Sequence, residues 1–159
     1  MTNYYQIFGI QFLTSITICS ILSYLFLFPY LKTKHRHTAL TILIFPHLVR
    51  HLGLTLLTPG VVVGENLNQS FATSTAIGDY ITVTLAVLAI IALQKNWKTK
   101  LQIVWLFNII GFSDVLLAMT KGIKYQVLHD LGPQWYVIAF GVPVLVVTHV
   151  LIFILLMKK

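Results

Sequence analysis

Of the chain's 159 residues, 57% are apolar and only 9% charged, and the mean hydropathy is +0.85, against roughly 25% charged in an ordinary soluble domain. Such a composition excludes a soluble globule, and the length leaves no room for a soluble domain beside a membrane one. The net charge of +7 would suggest nucleic acid in a soluble protein, but every basic residue except Arg50 sits in a short connection or at the C-terminus, so the partner it implies is the lipid bilayer and not nucleic acid.

Crossing a hydrocarbon core about 30 Å thick takes about 20 apolar residues. Five runs qualify, residues 6–30, 39–57, 76–94, 101–119 and 136–157. They predict an all-α integral membrane bundle of five transmembrane helices, with residues 1–159 forming a single transmembrane domain.

The first run lacks the Lys or Arg of a signal n-region between Met1 and Gln6 and exceeds a signal's usual apolar stretch, so it is expected to stay attached. It carries the single cysteine, Cys19, which can form no internal disulfide and lacks the small preceding residues of a lipoprotein site. The basic cluster Lys32-Thr33-Lys34-His35-Arg36-His37 follows, with His35 and His37 read as headgroup-facing.

The second run holds Pro46-His47-Leu48-Val49-Arg50-His51, where α-helical spacing places His47, Arg50 and His51 on one face. After it comes the longest connection, residues 58–75. This opens with a Thr58-Pro59-Gly60 turn, continues through an apolar Val61-Val62-Val63 patch and contains the formal sequon Asn68-Gln69-Ser70. The third run starts near Asp79, which shares a face with Thr82, Ala86 and Ala89, small residues that permit close helix approach. The fourth contributes Asn108 and Asp114, and the fifth contributes Pro143, Thr148 and His149.

Threading the spans from an outside N-terminus leaves Lys32, Lys34, Arg36, Lys95, Lys98, Lys100, Lys158 and Lys159 inside and only Lys121 and Lys124 outside. The positive-inside rule therefore predicts N-terminus out and C-terminus in. Tyr4, Tyr5, Tyr80, Trp135 and Tyr136 then fall at the outer interface, and Tyr30 and Trp97 at the inner one.

Ionisable side chains at the centre of a span cost about 2.5–3.5 kcal/mol each on insertion scales, so each is a candidate for function. With a rise of about 1.5 Å per residue, Arg50, Asp79 and Asp114 share one level in the outer half, and His47, Asn108 and His149 lie nearer the midplane. An ion pair of Arg50 with Asp79 or Asp114 is expected. A ligand-binding set of His47, Arg50, His51, Asn108, Asp114 and His149 is predicted to bind or translocate a small ligand, ion or proton, with Arg50 favouring an anionic group.

Other classes compete. Haem b between His149 and either His47 or His51 would make an electron carrier, with Arg50 available to a propionate. A transition metal is a further cofactor candidate, with His47, His51 and His149 as ligands. The charges alone would suit a structural or assembly subunit whose polar groups pair helices, or a homo-oligomer. An intramembrane enzyme would need a dyad such as Ser113 with His149. Gly111-Phe112-Ser113-Asp114 resembles the start of a serine-hydrolase elbow, but Val115 replaces the closing glycine. No Lys lies inside a span to carry a retinal Schiff base.

Overall fold

The structure, a computed structural model, describes residues 4–62 and 67–158; Val63 of the apolar patch and Lys159 of the basic count lie outside the described residues. Among the described residues it is all helical, with no strands. Five helices are long and apolar enough to cross a membrane: α1 (Tyr4–Lys32), α2 (Arg36–Leu57), α3 (Gln69–Gln94), α4 (Lys100–Lys124) and α5 (Gln134–Met157).

Two boundaries differ from the sequence expectation for local reasons. Helix α3 starts at Gln69, not at residue 76, because the Asn68 side chain accepts a hydrogen bond from Phe71 N at 3.1 Å and so caps it. Its first two turns are polar and carry no hydropathy signal, and the sequon asparagine is this cap. At its other end the backbone N–H groups of Asn96 and Trp97 return to Leu93 and Ala92, with Asn96 in the left-handed region at φ 54°, so a Schellman turn leads into α4. Helix α4 runs on to Lys124, past the apolar run, with Lys121 and Lys124 in its last turn. The Thr58-Pro59-Gly60 turn is present, closed by Val61 N to Thr58 O at 3.2 Å with Gly60 at φ 82°.

Each proline inside a long helix coincides with a change of helical pitch. Proline removes an N–H and collides with the carbonyl four residues back, so the preceding turn must open or tighten. The backbone widens to π geometry at Ser23–Leu27 before Pro29, and at Val137–Gly141 before Pro143. At Pro46 it tightens instead, and Phe45–Leu57 forms 13 residues of 3-10 helix, where runs beyond 3–4 residues are uncommon.

Helix α3 packs along both α2 and α4, and α5 closes the group against α4, α1 and the start of α2. Helix α1 leans on α5 and is otherwise largely exposed. The end bearing Lys95, Lys98 and Lys100 is densely filled by Leu40, Leu43, Ile44, Ala86, Ala89, Val104, Phe107 and Ile152. There Arg36 Nη2 also donates to Leu156 O at 2.9 Å, satisfying a terminal carbonyl of α5. A smaller apolar cluster, Leu56, Phe71, Ala72, Val127 and Leu131, sits at the opposite end. The polar residues lie between the two.

Candidate functional site

The 3-10 segment decides which side chains of α2 face inward. With three residues per turn, His47, Arg50, Gly53 and Leu56 stack in one line, and all four are buried. His51 is rotated a third of a turn away. It is exposed, its Nδ1 lying 2.8 Å from Leu48 O on its own helix. The expectation that His47, Arg50 and His51 share a face is therefore corrected, since it assumed α-helical spacing through a stretch that is not α-helical. The same stretch rises about 2.0 Å per residue, so Arg50 lies deeper from the end of α2 than a 1.5 Å rise implies.

Arg50 is 4% exposed and bonded on three sides. Its Nε donates to Asp79 Oδ1 of α3 at 2.7 Å, its Nη2 to Asp114 Oδ2 of α4, and its Nη1 to the backbone oxygen of Gly111 at 3.0 Å. Three of the five guanidinium N–H groups are thus used on two other helices. The two acids do not take turns as partners, because the planar fork reaches both.

Three glycines make the close approach feasible. A Cβ on Gly53 would fall on the Asp79 carboxylate, and one on Gly78 would fall on the Asp114 carboxylate. One on Gly111 would lie 2.7 Å from Thr82 Cγ2 and 2.8 Å from His149 Cε1. Each acid therefore occupies the space a neighbouring helix leaves by lacking a side chain.

Below this triad, towards the packed end, lies a second polar layer. His149 Nδ1 and Asn108 Oδ1 are 2.7 Å apart, while Asn108 Nδ2 donates to His149 O at 3.2 Å. That fixes Oδ1 as acceptor and Nδ1–H as donor, and leaves Nε2 as the bare acceptor of a neutral ring. Thr148 Oγ1 donates back along α5 to Val144 O at 2.8 Å, so it accepts from His47 Nε2 at 3.0 Å, leaving His47 Nδ1 bare. His47 Nδ1 and His149 Nε2 are buried without a hydrogen-bond partner among the described residues. The two rings touch, centroids 4.1 Å apart and tilted by 54°, and both lean on Phe107.

This contact bears on the cofactor candidates. No porphyrin plane fits between imidazoles whose rings are already packed together, and His51 is not beside either. Among the described residues, no three His, Cys, Asp or Glu side chains converge as a metal site. Ser113 is exposed while His149 is fully buried and bonded to Asn108, so the structure does not bring that dyad together.

On the other side of the triad, towards the end opposite Lys95, Lys98 and Lys100, is a cavity of about 740 Å³. Phe8, Gly9 and Phe12 of α1, Val49 and Leu52 of α2, and Val142 of α5 are among its walls. Arg50, Asp79, Thr75 and Gln134 are its few polar lining groups besides Tyr5. His47, His51, Asn108, Asp114 and His149 do not line it. The sequence offers two hints of this site, Gly53 three residues after Arg50 and Gly78 beside Asp79. It offers none for the α1 wall, whose residues look like any lipid-facing stretch.

The chain belongs to the DUF8737 family. The match to this domain of unknown function covers residues 7–157. No curated protein and no solved structure matches the chain.

Proposed function

We propose that the chain is a multi-pass membrane protein, N-terminus outside and C-terminus inside, that binds a small lipid-soluble ligand in the 740 Å³ cavity, with the Arg50–Asp79–Asp114 triad as the polar end of the site. The observation that carries this reading is the cavity's position. It is large enough for a drug-sized molecule, its walls are apolar, and it reaches a buried ion pair that a purely structural bundle could replace with leucine or alanine. Few convergent polar groups in an otherwise apolar pocket is the usual composition of a ligand site. The eight-to-two asymmetry of basic residues supports the orientation.

The test of the site is photolabelling in non-ionic micelles with dodecanol carrying a diazirine on its chain. Labels are expected on peptides bearing Gly9, Phe12, Val49 and Leu52. A Cβ at Gly9 would meet nothing within 4 Å and Gly9 lines the cavity, so Gly9→Phe should occupy part of the space and abolish labelling, with folded yield measured beside it. Labelling that survives Gly9→Phe, or that never concentrates on these peptides, would sink the reading. For orientation, cysteines at Lys98 and Asn68 in sealed vesicles should react with an impermeant maleimide from opposite sides; reaction from one side refutes it.

A further inference from the structure

We infer that the occupant of the cavity is a single-chain amphiphile with a cationic head, of which a protonated long-chain amine is the simplest case, its nitrogen at Asp79 and its chain along α1 and α2. The inference rests on the ligand-binding reading and narrows it by charge, by free acceptors and by the route of access.

The charge count comes first. One guanidinium faces two carboxylates, so the triad holds one negative charge more than positive when both acids are ionised. Among the described residues no second cation faces Asp79; the nearest, Lys121, bears on Asp114 and not on Asp79. The Lys121 ammonium lies two turns further along α4, where it donates to Ser74 Oγ at 2.7 Å, and the hydrogen bonds of His47 and His149 are those of neutral rings. An anionic head would approach a guanidinium already matched twice, with an uncompensated carboxylate beside it. The sequence expectation that Arg50 favours an anion is thereby reversed, because it counted Arg50 with one acid and not with two.

The free acceptors come second. Arg50 engages one oxygen of each acid, so Asp79 Oδ2 and Asp114 Oδ1 have no donor among the described residues. Of the two acids only Asp79 lines the cavity. Thr75, one turn before Asp79 on the same helix, also lines it, and its Oγ1 is buried without a partner. An ammonium has three N–H donors and no acceptor, which matches the open Asp79 carboxylate oxygen, with the Thr75 hydroxyl able to accept a second of its N–H groups. A carboxylate head has the opposite inventory.

Access comes third. The rim includes Leu13, Val49 and Ile123, which are 65%, 55% and 75% exposed. A mouth edged by exposed apolar side chains opens on the flank that faces hydrocarbon in a bilayer, so the ligand arrives from the lipid and not from water. That selects a molecule already partitioned into lipid, with an apolar chain to cover the walls.

The experiment is competition against the diazirine alcohol by dodecylammonium, dodecanol and dodecanoate at equal mole fractions in the micelle. Dodecylammonium should displace the label at about tenfold lower concentration than dodecanol, as one added attraction between partly buried charges implies, and dodecanoate should be weakest. Asp79→Asn should reduce the amine to the level of the alcohol measured in the same variant. If Asp79→Asn does not fold, the combined Arg50→Met, Asp79→Leu and Asp114→Leu variant removes the charges together and must lose the amine preference. Labelling by the alcohol with no amine preference, or with dodecanoate equal to it, overturns this inference alone. Silence of both the diazirine alcohol and a diazirine amine overturns it together with the ligand-binding reading, as does a cavity filled by a co-purified acyl chain that none of the three displaces.

Discussion

The two ends of the bundle are built from similar residues and close differently. At the basic end, α3 presents Ala86, Ala89 and Ala92, so α2 and α4 come close enough for Leu40, Ile44, Val104 and Ile152 to lose all contact with the surroundings. At the other end α3 is also small-faced, with Ala72 and Ala76 buried. Yet there α1 bridges a space instead of filling it. Its Gln11 Oε1 accepts from Trp135 Nε1 at 2.7 Å, Phe8 meets Trp135 edge-on, and Tyr4 meets His129 at 4.6 Å. These contacts prop the helix against α5 and the turn at residues 127–129, leaving the cavity beneath. In lipid, apolar side chains gain little by leaving one apolar surrounding for another, so stability comes from close packing and polar pairing. One tightly packed half beneath a floor tied together by Arg50, Asp79 and Asp114 leaves the other half able to stay hollow.

The floor should carry the largest effect. Arg50→Leu leaves Asp79 and Asp114 facing each other without a cation, and breaking a buried pair by removing one partner costs about 3–5 kcal/mol. Folded yield and thermal unfolding in non-ionic detergent should fall sharply, and replacing both acids by leucine in the same chain should restore most of the loss. An Arg50→Leu variant as stable as the parent would show that the triad does not separate a supporting half from a hollow one.

Core truncations sharpen the comparison next. Ile152→Ala removes a fully buried side chain from the packed end and should cost about 2 kcal/mol. That is the lower part of the range for such deletions, because in micelle or bilayer the loss is packing more than transfer from water. Val142→Ala on the cavity wall only enlarges an existing space and should cost less than about 1 kcal/mol. Equal losses at the two positions, read as shifts in unfolding temperature, would argue that the cavity closes in solution.

The five helices were legible because twenty-residue apolar runs separated by Lys and Arg have few other solutions in lipid. Asp79, Arg50 and Asp114 were legible as sharing a level, although the earlier start of α3 and the longer rise of α2 put Asp79 and Arg50 deeper than the sequence estimate. Rotation about the helix axis was not. It depended on the 3-10 geometry of α2 from Phe45 to Leu57, which aligned Gly53 with Arg50 and turned His51 outward, and hydropathy carries no signal for pitch. The Asn68 cap was hidden for a related reason, as the first turns of α3 are polar and read as loop. The cavity was invisible because it is made by where α1 does not pack, and an exposed leucine has the same letter whether it faces lipid or a pocket.

The smallest expected effect is carried by two glycines with opposite surroundings. Alanine is favoured over glycine in a helix interior by about 0.5–1 kcal/mol, since glycine has more backbone freedom to lose. At Gly9, in the α1 wall of the cavity, an added Cβ meets nothing within 4 Å, so Gly9→Ala should raise stability by about that amount. At Gly78 the same methyl would fall on the Asp114 carboxylate. The acid would have to leave its place beside Arg50, and the propensity gain is outweighed by overpacking, which costs about 1–3 kcal/mol. Thermal unfolding of the two variants in the same detergent should therefore shift in opposite directions. A stabilised Gly78→Ala would mean that Asp114 has another position open to it, and the charge balance of the triad would have to be redrawn around a mobile acid. A destabilised Gly9→Ala would mean that α1 packs more closely than its exposed face indicates, so that the hollow half is filled in solution.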